Sequence, residues 1–359
     1  MLTYCTNIHP GESWDEVQAG VFANAPLVRD GLAAPEPFPL GLWLSGRAAR
    51  EIEERGSQRF VEWLGEERCE VRSINGFPYG AFHGVRVKER AYLPDWRDTE
   101  RRDYTERLGR ILAGWLPAGA TGVISTVPLG FKEKADWSGA RRNVVAALQA
   151  LDLIAQRTGK EIVLALEAEP GCELETTAEV IAFFEELKLP AALARHAGIC
   201  FDCCHHAVEF ESPAQSLRLL AQAGVRVAQA HVTAALRVPG GELERLARFA
   251  EPVYLHQAVG RRTDGSLLRF DDLPLALAAQ VDGAGIDEWR VHFHVPVFAA
   301  RLGDCQTTQP LLEEMLRALP ASVPRVVETY SFGVLPPELQ ERTVADSVVR
   351  ELRWVRDHR

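Results

Sequence analysis

Carboxylate and imidazole side chains stand at the ends of several apolar runs in this chain of 359 residues. Glu167 follows the run IVLAL, Asp202 follows GICF, His231 follows VAQA and Glu328 follows RVV. Since an isolated buried charge is costly, a metal or a basic partner must lie near Glu167 and Asp202. Mixed oxygen and nitrogen ligands suit Mn, Zn, Co or Fe, whereas Mg prefers oxygens. These residues therefore favour a divalent-metal site if the fold brings them together.

Further polar residues occupy comparable positions. Asn75 closes the run CEVRSI, and Glu169 and His205 each follow a candidate strand end. His292 and His294 are two residues apart, which is the period of a strand, so both rings point to one face. A single carboxylate at a strand end is more often a helix N-cap or an arginine partner than a ligand. The prediction of a metal site therefore depends on the whole set.

Short β-rich runs alternate with helical patterns along most of the chain. The candidate strands are residues 2–7, 40–45, 69–75, 122–127, 161–167, 198–202, 225–232, 289–295 and 325–329. Helical spacing of apolar residues is clearest at 138–159 and 176–188 and shorter at 216–224, and Thr176 with Glu179 is typical of a capping box. Alternation predicts parallel strands joined by crossover helices. Units of 30 to 40 residues favour an α/β fold of the (β/α)8 TIM-barrel type.

The sequence has nine candidate strands, which is one more than a (β/α)8 barrel contains. Residues 251–270 are typical of a β-hairpin with Asp264-Gly265 at its turn, so we expect an insertion there within a single domain of residues 1–359. His256 lies in this predicted hairpin, where it either closes over the site as a substrate contact or faces solvent. One of the last two strands then lies outside the barrel or closes it irregularly.

Composition excludes several classes of protein. The net charge is −10, from 40 basic and 50 acidic residues, which opposes nucleic-acid binding. No apolar run approaches the roughly 18 residues of a membrane helix, and the first residues lack signal-peptide features. Seven irregularly spaced cysteines indicate buried thiols rather than disulfides. We expect a cytoplasmic protein that binds a small molecule, with no nucleic-acid or membrane partner, and a homo-oligomer remains open.

Four motifs at the predicted strand ends resemble those of the xylose-isomerase-like TIM-barrel superfamily, which includes sugar isomerases, ketose 3-epimerases and endonuclease-IV-type enzymes. They are LALEAEP (164–170), ICFDCCH (199–205), QAHVTAA (229–235) and VVETYSF (326–332). Longer stretches are similar to the Ebo-type metabolite-traffic branch, namely MLTYCTNIHPGESW, INGFPYGAFHG (74–84), YLHQ and ETYSFGVLPPEL.

The resemblance implies roles for individual residues. The metal ligands would be Glu167, Asp202, His231 and Glu328, with His294 as a rival to Glu328. His205 would be a neighbouring ligand or a substrate contact. Glu169 would lie close to the substrate. Their positions along the sequence make Asn75, His256 and His294 further predicted substrate contacts.

Three functions are compatible with this pattern. The leading hypothesis is a metal-dependent isomerase or epimerase of a small polyhydroxylated carbonyl metabolite, in which Glu167 or Glu328 removes the proton next to the carbonyl. Its divalent metal would be Mn, Zn or Co rather than Mg. A zinc phosphodiesterase of the endonuclease-IV type would recruit the additional histidines, and a non-catalytic barrel would bind or transfer a metabolite. The sequence contains no glycine-rich phosphate loop, which favours an unphosphorylated ligand.

Overall fold

The computed structural model describes the chain except for residues 133–135, 280–284, 336, 338–339 and 359. Its strands are β1 (Leu2–Tyr4), β2 (Phe38–Trp43), β3 (Cys69–Asn75), β4 (Gly122–Thr126), β5 (Ile162–Glu167), β6 (Ala197–Asp202), β7 (Val227–Val232), β8 (Ala234–Pro239), β9 (Ala258–Arg262), β10 (Leu267–Phe270), β11 (Ile286–Val295), β12 (Arg301–Leu302), β13 (Cys305–Thr307) and β14 (Arg325–Val327). Eight of these, β1–β7 and β14, form a parallel sheet in the order β1-β14-β7-β6-β5-β4-β3-β2. A parallel bridge between Cys5 and Gly41 joins β1 to β2. The predicted (β/α)8 barrel is confirmed.

The other six strands form an antiparallel sheet inserted after β7. Its order is β10-β9-β11-β8-β13-β12, and only Thr233 separates β7 from β8. The predicted hairpin is confirmed as β9 and β10, with Gly265 at φ +84° in its turn, but its first strand begins at Ala258. Residues 251–257, including His256, therefore precede the hairpin. The insertion sheet is also larger than expected, because it includes β11, the surplus ninth strand of the sequence.

Helices cover the outside of the barrel. They are α1 (Trp14–Leu32), α2 (Gly46–Arg55), α3 (Gln58–Glu66), α4 (Thr99–Trp115), α5 (Ser138–Thr158), α6 (Thr177–Leu187), α7 (Ala191–Ala194), α8 (Cys203–Val208), α9 (Pro213–Gln222), α10 (Leu273–Ala278), α11 (Gln309–Ala318) and α12 (Val344–His358). Thr176 and Glu179 form the expected capping box at the start of α6. None of the helices in the described part of the chain combines the length and the apolar character of a membrane span.

Burial follows the sequence pattern. Every residue of β5 and β6 is buried, as a parallel strand covered on both faces requires. All seven cysteines are buried, as expected, and are present as free thiols.

Strand register determines which side chains meet at the mouth of the barrel. Asp202 on β6 lies opposite His231 on β7. His231 in turn lies opposite Val326 on β14, and Glu328 follows that strand directly. Because parallel strands present their carboxyl ends at one end of a barrel, Glu167 joins the same group from β5.

Candidate metal centre

Three carboxylates and one imidazole meet at the carboxyl ends of the barrel strands. Glu167, Asp202, His231 and Glu328, hereafter the carboxylate cluster, are each at most 4% exposed. Each offers a ligand atom within 4.8 Å of those of the other three. Nδ1 of His231 lies 2.8 Å from Oε1 of Glu167 and 3.0 Å from Oε2 of Glu328. The four residues that the resemblance implied as ligands thus lie in one place.

Two carboxylate oxygens of this cluster are left without a hydrogen bond. Oδ1 of Asp202 accepts the backbone N–H of His205 at 2.8 Å, which caps α8. Oδ2 of Asp202 and Oε2 of Glu167 are buried and have no partner among the described residues. Burial raises the pKa of both carboxyl groups above their usual range. A divalent cation fits this arrangement, because it would satisfy both oxygens and offset the gathered negative charge.

Amide side chains from β3 and from the turn after β1 orient Glu328. Asn7 and Asn75 donate hydrogen bonds to its Oε1 at 2.9 and 2.6 Å. These bonds leave Oε2 facing His231. Asn75, a predicted substrate contact, therefore also acts on the carboxylate cluster.

A second group of buried rings lies beside the first. His205 on α8 and His292 and His294 on β11, hereafter the histidine cluster, are at most 4% exposed. Nε2 of His205 lies 3.2 Å from Nε2 of His292. The ring centroid of His294 is 5.6 Å from that of His205 and 5.0 Å from that of His292. His294, the predicted rival of Glu328, lies on the insertion sheet. Glu328 instead follows the eighth barrel strand.

Glu169 lies at the edge of both clusters. Its Oε1 accepts hydrogen bonds from the Tyr92 hydroxyl at 2.6 Å and from Nε2 of Gln257 at 3.1 Å. Burial raises the pKa of Glu169 to about 8. Burial thus favours the protonated form of Glu169, which can supply a proton.

A cavity opens over the two clusters. Its walls are formed by Asn7, Asn75, Phe77, Pro78, Phe82, Val87, Lys88, Ala91, Tyr92, Glu167, Glu169, His205, Tyr254, Leu255, His292, His294, Glu328 and Tyr330. All the sequence-predicted substrate contacts except His256 line it. The ring of His256 instead bonds the carbonyl oxygen of His292 through Nδ1 and Oε1 of Glu251 through Nε2. Both ring nitrogens of His256 are thus engaged outside the cavity wall, so the structure does not bring this predicted substrate contact to the cavity.

The structure adds residues that sequence reasoning missed. Tyr92 reaches the site from a 3-10 turn, Lys88–Tyr92, in the long connection after β3, where no periodic signal marks it. Gln257 follows His256 in the sequence. Only the path of the backbone into the insertion sheet, which the sequence does not specify, shows that Gln257 faces the site. His292 had a signal, its spacing from His294, but a role was predicted for it only in the zinc-phosphodiesterase alternative, as one of the additional histidines.

Crystal structures of other proteins share the fold of this chain across its length. A xylose isomerase domain protein from Planctomyces limnophilus has a TM-score of 0.52 and 14% identity, with 100% of this chain and 95% of that chain covered. An IolI protein with a bound zinc atom has a TM-score of 0.52 and 13% identity, covering 99% and 97%. A xylose isomerase-like TIM barrel protein from Mycobacterium smegmatis, in complex with magnesium, has a TM-score of 0.52 and 12% identity, covering 99% and 95%.

Sequence comparison adds no closer relationship. No family model and no curated protein matches the chain. At identities of 12–14% the structural matches establish the fold alone. The chain has the fold of the xylose-isomerase-like TIM barrels.

Proposed function

We propose that this protein is a divalent-metal-dependent isomerase or epimerase of a small polyhydroxylated carbonyl compound. The observation that carries the proposal is the carboxylate cluster, which combines three buried acidic groups, one imidazole and two unpartnered oxygens. Glu167 and Glu328 also line the cavity, where a substrate would meet them.

Glu167, Asp202, His231 and Glu328 would hold the cation. A cation bound there would act as a Lewis acid that polarises a substrate carbonyl. The donor set of three carboxylates and one imidazole favours Mn, Zn or Co over Mg. Two proteins of the same fold, one with zinc and one with magnesium, support a divalent ion in this class of barrel.

The chain itself supplies a base and an acid for proton transfer. The pKa of Glu328 is lowered, because the charge of His231 and its hydrogen bond outweigh the effect of burial, so the carboxylate is ionised and can remove a proton next to the carbonyl. Glu167 is the alternative base. Glu169 holds a proton that it can donate to the substrate carbonyl oxygen, and its hydrogen bonds with Tyr92 and Gln257 fix its position.

The outer wall of the cavity indicates how the rest of the substrate lies. Phe82, Tyr254 and Tyr330 pack against one another with ring centroids 5.0–5.2 Å apart. These aromatic faces suit a carbon-rich face of the substrate, while its oxygens face the clusters. Lys88, the cationic residue of the wall, is paired with Asp272 at 2.7 Å. This pairing favours an unphosphorylated substrate and disfavours a phosphodiesterase.

Solvent-deuterium exchange tests the proposal. The metal-loaded protein is incubated with a panel of ketoses and other hydroxyketones in D2O, and deuterium at the carbon next to the carbonyl is measured by NMR. We expect deuterium to be incorporated, and we expect incorporation to stop when a chelator removes the metal. Glu328→Gln or Glu167→Gln should each reduce the rate of exchange by roughly 10²–10⁴-fold. Glu173→Gln, which changes a glutamate outside the cavity wall, is the control and should keep the rate.

Two outcomes would count against catalysis. No exchange with any compound, in protein shown to contain the cation, would contradict the proposal. Binding of a compound without exchange would favour a non-catalytic metabolite-binding barrel, the role that the Ebo-type resemblance implies.

A further inference from the structure

We infer that the substrate has two chemically different ends, with its hydroxyl groups confined to the end beside the carboxylate cluster and a hydrocarbon group, hereafter the apolar tail, at the other end. The inference rests on the proposed function and deepens it, because it names the class of compound that the same cavity accepts. A hydroxyketone with an alkyl or aryl substituent belongs to this class, whereas a fully hydroxylated ketose does not.

The wall of the cavity divides by polarity. Its polar residues are those of the two clusters together with Asn7, Asn75 and Glu169. The rest of the wall, hereafter the apolar wall, is formed mainly by Phe77, Phe82, Val87, Tyr254, Leu255 and Tyr330. Tyr330 lies at the boundary, because its ring centroid is 4.6 Å from that of His294 and 5.2 Å from that of Phe82. A substrate that binds the carboxylate cluster therefore meets hydrocarbon surface at its other end.

Further hydrophobic side chains lie behind the apolar wall. Phe82, Val87 and Tyr254 pack in one buried cluster with Trp43. Leu255 belongs to a second buried hydrophobic cluster. A hydroxyl group placed against such a surface loses its hydrogen bonds to water, which costs free energy unless the protein replaces them.

The backbone of the apolar wall does not replace these bonds, because its donors are already used. The N–H of Phe82 donates to Oε1 of Glu12 at 2.7 Å, and the N–H of Val87 donates to the carbonyl oxygen of Val253 at 2.8 Å. Pro78, which also lines the cavity, has no backbone N–H. These three positions offer no donor to a substrate hydroxyl group.

Two polar side chains in this part of the cavity are engaged within the protein as well. The Tyr254 hydroxyl donates to the carbonyl oxygen of Phe82 at 3.2 Å. Nζ of Lys88 donates to Asp272 at 2.7 Å and to the carbonyl oxygen of Glu251 at 3.2 Å. A polyol that reached the apolar wall would therefore leave water without recovering its hydrogen bonds, whereas a hydrocarbon group is stabilised by the contact.

The apolar wall comes largely from connections and not from barrel strands. Residues 77–87 lie between β3 and α4, and Tyr254 and Leu255 lie between β8 and β9 of the insertion. The carboxylate cluster instead stands at the ends of barrel strands. Substitutions in the apolar wall can therefore change the preference for the apolar tail without removing a metal ligand.

Calorimetry with two hydroxamates tests the inference. Hydroxamates chelate a metal through two adjacent oxygens, as a hydroxyketone does, and they bind without turnover. Hexanohydroxamate and gluconohydroxamate have the same number of carbon atoms, but the second carries a hydroxyl group on every carbon beyond the chelating group. We expect hexanohydroxamate to bind Mn(II)-loaded protein roughly 10–100-fold more tightly, because each buried methylene strengthens binding about three- to four-fold. Equal affinity, tighter binding of gluconohydroxamate, or binding of neither compound would overturn the inference.

Val87→Thr and Val61→Thr are matched variants. Val87 lines the cavity, whereas Val61 lies on the surface and is 41% exposed. Threonine is β-branched like valine but replaces a methyl group with a hydroxyl group. We expect Val87→Thr to reduce the preference for hexanohydroxamate roughly 3–10-fold and Val61→Thr to keep it. An unchanged preference in Val87→Thr would overturn the placement of the apolar tail against this wall.

Failure of the inference and failure of the proposed function can be told apart. Absence of deuterium exchange, together with a preference for hexanohydroxamate, would contradict the isomerase and leave the apolar tail supported. Exchange with fully hydroxylated ketoses, without a preference for hexanohydroxamate, would overturn the apolar tail and leave the isomerase supported.

Discussion

The carboxylate cluster and the histidine cluster lie side by side at the barrel mouth but are built differently. The first comes from β5, β6, β7 and the end of β14, and it gathers negative charge. The second comes from α8 and the insertion sheet, and it gathers neutral lone pairs. The barrel register thus gathers three carboxylates around one imidazole, whereas α8 and the insertion sheet together gather imidazoles alone. We expect the carboxylate cluster to set the affinity for metal, so the two clusters should respond differently to substitution.

The largest effect is expected for Asp202→Asn. Asparagine can still cap α8, but it removes one buried charge from the carboxylate cluster. Affinity for Mn(II), measured by calorimetry, should fall roughly 100-fold or more, an effect of the size expected when a site loses a charged ligand. Without metal, the variant should be more stable than the unsubstituted protein at pH 8, because burial of the ionised group is no longer required.

Asp98→Asn is the control for this substitution. Asp98 caps α4 through Glu100 at 2.8 Å and lies on the surface, so neither Mn(II) affinity nor metal-free stability should change appreciably. Unchanged Mn(II) affinity in Asp202→Asn would show that Asp202 is not a ligand.

A crossed pair of substitutions separates the clusters. Asn75→Ala removes a donor to Glu328, and Gln257→Ala removes the acceptor that fixes His292. Asn75→Ala should weaken Mn(II) binding at the carboxylate cluster by about 10–100-fold, whereas Gln257→Ala should leave Mn(II) affinity unchanged. Calorimetry with Mn(II) measures both. An equal loss of Mn(II) affinity in the two variants would show that the clusters do not act separately.

A separate effect, on stability and not on metal binding, concerns Glu351, a buried carboxyl group outside both clusters. It accepts hydrogen bonds from Thr329 and from the backbone of Val297, and burial raises its pKa from 4.5 to about 8. Between these pH values the folded chain keeps a proton that the unfolded chain releases. The contribution of Glu351 to the free energy of unfolding therefore falls as pH rises, by at most about 1.4 kcal/mol per pH unit.

Glu351→Gln should remove that pH dependence with or without Mn(II), as urea unfolding between pH 5 and 8 would measure. The contribution of Asp202 to the same dependence should disappear when Mn(II) is bound. A pH slope that is identical in Glu351→Gln and in the unsubstituted protein would contradict the raised pKa.

Local patterns in the sequence were sufficient for the barrel and for the position of the carboxylate cluster. Each ligand-type residue ends an apolar run, and parallel strands bring such ends together. The histidine cluster depends on how β11 folds back on β8 and β9, which sequence spacing does not specify. His256 was misplaced for the same reason, since the hairpin begins two residues after it. Tyr92 and Gln257 lie in irregular segments, where no periodicity indicates the direction of a side chain.

Anomalous diffraction from crystals of the zinc-loaded protein tests the central claim most directly. We expect a peak among Glu167, Asp202, His231 and Glu328. A map with no peak in the carboxylate cluster, from protein saturated with zinc, would contradict the account.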